Sequence, residues 1–194
     1  MGRLYPLFRR EIVKGIVFTE FLNMLDTKFE PLFIETLVEE ANLPSGGIYT
    51  SIGTYNVDEM VTLVTLLSEK TGLSIPVLEK TFGEYLLGAF VRQHPQQFGA
   101  DEDTFSILTR LNDSIHVDVR KLYPDAELPV FSHTWAAPDR LELEYRSPRP
   151  FADVAEGLIT GCIAHFGDDI RFSRQDLPVT EGAHAIFVLE RQAA

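Results

Sequence analysis

One cysteine, Cys162, stands in a chain of 194 residues. That scarcity excludes an internal disulfide framework and a cysteine-rich zinc site. Positive charge is also in short supply, with 17 Lys and Arg against 29 Asp and Glu and a net charge of −12. The only basic cluster, RREIVK near the start, is short, so the chain has no basic stripe and no nucleic-acid partner is expected. No apolar run approaches the length of a membrane span, and the N-terminus lacks a signal-peptide core. No membrane insertion is expected, and the expected location is cytoplasmic. Common catalytic motifs are missing too. No serine occupies a nucleophile elbow. Ser45-Gly46-Gly47 is too short for a phosphate loop and no Lys-Ser/Thr follows it. Glu39–Glu40 and Asp101–Glu102–Asp103 read as solvated helix faces and helix starts. The five histidines (His94, His116, His133, His165 and His184) are scattered, with no pair at metalloprotease spacing.

A hydrophobic content of 45% and a charged content of 24% suit a globular protein with a sizeable core in one domain, or in one domain of two lobes. The periodicity turns helical from Gly15, where Phe18, Phe21, Leu22, Leu25 and Phe29 form a stripe at i, i+3, i+4 spacing. A second helix is expected over about 30–43 with Pro31 in its first turn, followed by a loop, PSGGIYTSIGTYN. Asn56 and Glu59 resemble a capping box that opens a helix ending at Gly72. Ser74 and Pro76 open another, and the run from Asp101 to Tyr123 reads as one long helix stopped by Pro124.

Beyond that point the character changes. PVFSHTWAA, RLELEYRS, DIRFSRQDLP and HAIFVLERQ read as strands, with Pro138-Asp139 as a hairpin turn. Between the second and third strands lies a helix containing Gly157 and Gly161. Helices first, then strand–strand–helix–strand–strand, give an α+β fold: a helical lobe followed by a lobe with a four-stranded antiparallel sheet and a helix.

Two stretches carry chemistry. In LEYRSPRPF, Tyr145, Ser147 and Arg149 fall on alternate positions and share a face if the segment is extended, with Leu141 and Leu143 continuing that face in apolar form. The pattern suits a ligand with a greasy body and an anionic edge; a sheet edge with surface polar residues would look the same. In NDSIHVDVRKLYP, His116 adjoins the stripe of Phe105, Leu108, Ile115, Val119 and Leu122. Taken alone it is either a half-buried helix histidine or a metal ligand, and the first is the simpler account.

Together these segments resemble the heme-nitric oxide/oxygen binding (H-NOX) family, related to the heme domain of soluble guanylate cyclase. The similarity covers about residues 13–191. VKGIVFTEFL resembles the family's opening, which marks Val13 as a start point, with residues 1–12 as an extension and 13–194 as a single domain. HVDVRKLYPDAELP resembles the segment that carries the proximal heme histidine, and YRSPR matches the Y-x-S-x-R signature that holds the heme propionates. ADVAEGLITGCIAHFG resembles the helix that follows, glycines included. The resemblance implies heme b between the two lobes, His116 as the iron ligand, and Tyr145, Ser147 and Arg149 on the propionates. It makes Pro129 the residue that presses on the macrocycle.

The resemblance also assigns Val17, Phe21, Leu86, Phe90, Val154 and Leu158 to the distal wall. Oxygen-binding relatives carry a tyrosine at the position of Val154 and one has an asparagine at that of Leu86. Here all six are apolar. Bound O₂ gains from a hydrogen-bond donor, whereas NO and CO need little such help, so the expected ligands are NO and CO. The expected mechanism is weakening of the Fe–His116 bond when NO binds, with a shift of one lobe against the other read by a separate protein. No catalytic role and no attached output domain are expected, and a sensor histidine kinase or a cyclic-di-GMP enzyme is the partner the family implies. Three rival readings are a heme-poor or heme-free interaction module of the same fold, an enzyme using the same cavity, and a purely structural module.

Overall fold

The computed structural model describes residues 12–99, 101–124 and 126–192. Its first element is a short strand, β1 (Ile12–Lys14), paired antiparallel with β2 (Thr54–Asn56) so that Ile12 faces Asn56 and Lys14 faces Thr54. Ile12, placed by the sequence in an extension, thus belongs to a sheet. The rest of that extension lies outside the described residues.

Four helices build the first lobe: α1 (Gly15–Lys28), α2 (Pro31–Ala41), α3 (Val57–Thr71) and α4 (Ile75–Gln93). Their apolar stripes meet in a core that includes Phe18, Met24, Leu25, Leu37, Leu63 and Leu67. Asn56 caps α3, its side chain accepting a hydrogen bond from the Asp58 N–H at 3.0 Å. Glu59 does not complete the box. Its buried carboxylate accepts hydrogen bonds from the Ser45 and Tyr49 hydroxyls instead, which ties down the loop that the sequence left irregular. Gly72 ends α3 with φ +73°, a left-handed cap that suits glycine. Among the described residues no single helix is long and apolar enough to cross a membrane.

The expected helix over 101–123 is broken. It consists of α5 (Thr104–Thr109), a π-helical segment (Leu111–Ile115) and α6 (His116–Leu122). Asp103 and Ser106 form a reciprocal capping box at the start of α5. Strands β3 (Val130–Ala137) and β4 (Arg140–Ser147) follow, joined by the two-residue turn at 138–139. Helix α7 (Ala152–Phe166) then leads into β5 (Ile170–Asp176) and β6 (Ala183–Arg191). The sheet is antiparallel throughout, in the order β3-β4-β6-β5. Alternation governs which faces are buried: Leu141, Leu143, Tyr145, Phe187 and Leu189 are all at or near zero exposure.

Helix α7 is the shared wall. Ala155 and Ile159 pack on the sheet, while Val154 and Leu158 pack against the helical lobe. It can lie this close to α4 because glycines meet glycines. A Cβ on Gly157 would sit 2.1 Å from the Lys80 carbonyl oxygen, and one on Gly83 would sit 2.2 Å from the Val154 carbonyl oxygen.

A charged cluster joins the same elements. Lys80 pairs with Glu156 at 2.7 Å, and Arg174 of β5 pairs with Asp153, Glu156 and Asp176 at 2.7–3.1 Å. Glu79 borders the cluster as a surplus acid. Burial and the negative charge of Asp153 push its carboxyl up to about 7, against the pull of Arg174. A raised folded-state value means that stability from this group is greatest below the ordinary carboxylate range and is lost as pH rises toward 7. Glu79→Gln is therefore expected to stabilise the protein at pH 8 by about 1 kcal/mol, a figure discounted for partial exposure, and to leave it unchanged at pH 4. Paired thermal melts at the two pH values check this.

Candidate functional site

The two lobes and α7 enclose a cavity of about 270 Å³. The helical lobe contributes Val17 from α1 and Leu86 and Phe90 from α4, and α7 contributes Val154 and Leu158. His116 comes from α6, Pro129 from the segment before β3, Phe131 and Tyr145 from the sheet, and Ser147 and Arg149 from the end of β4 and the turn after it. Ten of the eleven residues singled out from the sequence therefore line one space. The exception is Phe21, which packs edge-on against Phe82 in the core of the helical lobe, with ring centroids 5.4 Å apart.

Leu141 and Leu143 share the parity of Tyr145 but lie in the sheet–helix core, outside the lining. The apolar strip inferred from alternation thus supports the cavity from beneath. Strand geometry ends at Ser147, so Arg149 reaches the cavity from the turn that precedes α7, beyond the reach of the parity argument.

His116 is 8% exposed and sits at the first position of α6, the end at which a helix dipole disfavours a positive ring. Burial, aided by the nearby Arg120 charge, holds its imidazole down to about 4. Its Nδ1 is buried without a hydrogen-bond partner. A neutral imidazole with an unpartnered ring nitrogen is the state a metal ligand requires. The Phe131 ring stands 5.8 Å from His116 and 5.2 Å from Tyr145 and separates the two.

Arg149 is buried. Its Nη1 donates to the Glu127 backbone carbonyl at 2.8 Å and its Nη2 to the Glu127 carboxylate at 2.9 Å and to the Ile12 carbonyl. Its own N–H donates to the Ser147 hydroxyl at 3.0 Å. The guanidinium thereby ties β1, the segment before β3, and the start of α7 together at one end of the cavity. Burial raises the Tyr145 hydroxyl, while contact with Ser147 opposes the rise.

Several lining residues escaped the sequence reading. Lys14 and Thr54, from the β1–β2 ribbon, lie at the cavity and bond to each other at 2.9 Å. Strands of three residues give no periodic signal. Cys162 also lines the cavity, and burial pushes its thiol up to about 12, leaving it an apolar wall group at neutral pH.

The donor set can be tested against the group the family implies. Among the described residues no three His, Cys, Asp or Glu side chains converge on a metal position. A metal carried in by an organic ligand needs only one protein ligand, and His116 is the only histidine in the lining. The walls are largely apolar, and a buried cation with two hydroxyls stands at one end. These features fit a flat apolar disc bearing anionic groups on one edge.

Fold and site thus define a two-lobed α+β domain built around a buried apolar cavity with a single imidazole in its wall. A family model described as Haem-NO-binding matches residues 14–174. The chain belongs to that family. The unliganded Fe(II) H-NOX protein from K. algicida is 32% identical and superposes with a TM-score of 0.85, over 94% of this chain and 98% of that one. The H-NOX from Shewanella woodyi, solved in the Fe(II)CO ligation state, is 35% identical with a TM-score of 0.77, covering 93% and 95% of the two chains. The H-NOX protein from S. oneidensis, solved in the Fe(II)NO ligation state, is 26% identical with a TM-score of 0.84, over 93% and 100%. No curated protein matches the chain.

Proposed function

We propose that this protein is a gas sensor that binds heme b in the cavity between its lobes, takes NO and CO as ligands, and passes the event to a separate protein. The observation that carries the reading is His116, a buried neutral imidazole with an unpartnered nitrogen in the wall of an apolar cavity. When bound, a ferrous heme supplies an iron atom able to coordinate a diatomic gas.

The chain's own residues do the rest. His116 would hold the iron. Arg149, a buried cation paired with Glu127, would take an anionic edge, with the Tyr145 and Ser147 hydroxyls beside it as donors. Pro129 bounds the cavity two residues before Phe131 and would press on the macrocycle held there. Val17, Leu86, Phe90, Val154 and Leu158 exclude water and offer no hydrogen bond. A donor to a charged ligand in a dry pocket is worth roughly 1.5–3 kcal/mol, one to two decades of affinity, and these side chains withhold it from O₂. Holding or releasing His116 changes how α6 is anchored, and α6 leads directly into the segment that carries Pro129 and β3. That differential contact is what a partner would read, for which a sensor histidine kinase or a cyclic-di-GMP enzyme in the cytoplasm is the proposed class.

The test is a set of anaerobic absorption spectra of the reduced, heme-loaded protein without gas, with NO, with CO, and after admission of air. Spectral changes with NO and CO, and no stable oxygen complex, are the expected results. A persistent oxygen complex would show that a donor enters the pocket and would overturn the assigned gas preference.

A further inference from the structure

The break in the helix before His116 places an asparagine where it can hold a strand. Asn112 lies inside the π-helical segment Leu111–Ile115, immediately before α6. Its carboxamide meets the backbone of Phe131 twice: Nδ2 donates to the Phe131 carbonyl, and Oδ1 accepts from the Phe131 N–H at 3.3 Å. Phe131 belongs to β3, an edge strand of the four-stranded sheet. It pairs with Tyr145 of β4, and the polar backbone groups that it turns away from β4 are the two that Asn112 satisfies. The carboxamide stands in for one residue of a neighbouring strand. A carboxamide sets a donor and an acceptor side by side on one planar group, as this exchange needs.

The contact also fixes the Phe131 ring, which packs against His116 on one side and Tyr145 on the other. We infer that Asn112 is a positioning residue. It sets the height and tilt of His116 relative to the sheet, and it couples any displacement of His116 to β3. The inference rests on His116 being the heme ligand. Widened π turns recur at functional sites because they re-aim side chains without ending the helix, and here the widening lets one segment serve both cavity and sheet. Strand β3 is the natural recipient. Most of its residues are exposed, Val130 at 58% on the outer face among them, so a shift there reaches the surface of the molecule.

The experiment uses full-length, heme-loaded wild type and Asn112→Ala, with two readouts on each: the Fe–His stretching band of the reduced protein, and amide hydrogen exchange across 130–137 with and without NO. Loss of the clamp is expected to speed exchange of the Phe131 N–H roughly tenfold, the equivalent of one hydrogen bond. The Fe–His band is expected to shift or broaden, and the NO-dependent change in exchange along β3 to disappear. An unchanged band and a preserved NO response, alongside faster exchange at Phe131, would reduce Asn112 to a structural clamp and overturn the inference. A wild-type protein that takes up no heme would instead remove the heme reading itself, and with it the positioning role.

Discussion

His116→Ala is expected to abolish protein ligation of the heme. The reduced variant should lack the Fe–His stretching band of wild type and hold heme at least about tenfold more weakly, since each factor of ten corresponds to only ~1.4 kcal/mol. Added imidazole should restore a five-coordinate ferrous spectrum by filling the space the ring leaves. His116 is the one histidine in the cavity wall, so the described structure holds no other imidazole to take over. The substitution should leave secondary structure intact, because the ring makes no hydrogen bond through its buried Nδ1 and its removal strands no partner. His165→Ala is the matched control. His165 lies outside the lining, behind Phe98, and stacks edge-on with Phe98 and Phe166, and its removal is expected to leave heme binding and the Fe–His band unchanged.

The second large effect belongs to the helix pair that joins the lobes. Gly157→Ala places a methyl group 2.1 Å from the Lys80 carbonyl oxygen and 2.9 Å from its Cα. Both obstacles are backbone atoms and neither can rotate away, so α4 and α7 must separate. Overpacking of this kind typically costs 1–3 kcal/mol, and a rigid backbone clash belongs at about 3 kcal/mol. For a chain of this size that lowers the melting temperature by roughly 6–12 °C. Gly83→Ala, which meets the Val154 carbonyl oxygen at 2.2 Å, should behave alike. Gly161→Ala is the milder companion: its nearest neighbours, Leu87 and the Glu84 Cα, lie at 3.2–3.3 Å and include a side chain that can yield. The functional consequence follows from position. Leu86 and Phe90 on α4 and Val154 and Leu158 on α7 stand in the cavity wall, so forcing the helices apart opens the wall to water. Thermal melts of the three variants, with heme retention measured on the same samples, check both parts.

How far the sequence could be read depended on the length scale of each signal. The four long strands and the hairpin turn at 138–139 were legible because alternation over seven to nine residues is unambiguous. Helices α1 to α4 and α7 were legible from apolar stripes and from their caps, among them Asn56 and Gly72. What escaped was short or non-local. The β1–β2 ribbon has three residues per strand, with β1 at the edge of the expected extension and β2 in what reads as a turn-rich loop. The π-helical break at Leu111–Ile115 leaves the apolar spacing nearly intact, so the sequence reads as one helix. Gly157 was visible as a glycine in a helix, but its reason is the Lys80 backbone, far away in the chain. The same holds for Arg149, whose partners Glu127 and Ile12 are set by tertiary packing, and for Phe21, which the family resemblance assigned to the distal wall and which packs in the helical core.

The measurement that bears most directly on the account is a titration of the purified protein with heme, followed by absorbance and by circular dichroism in the heme band. Saturation at one heme per chain, with an induced dichroic signal that reports an ordered chiral pocket and is weakened in His116→Ala, is the predicted result. Uptake without saturation and without induced dichroism, or no uptake at all, would contradict the claim that this cavity is a heme site.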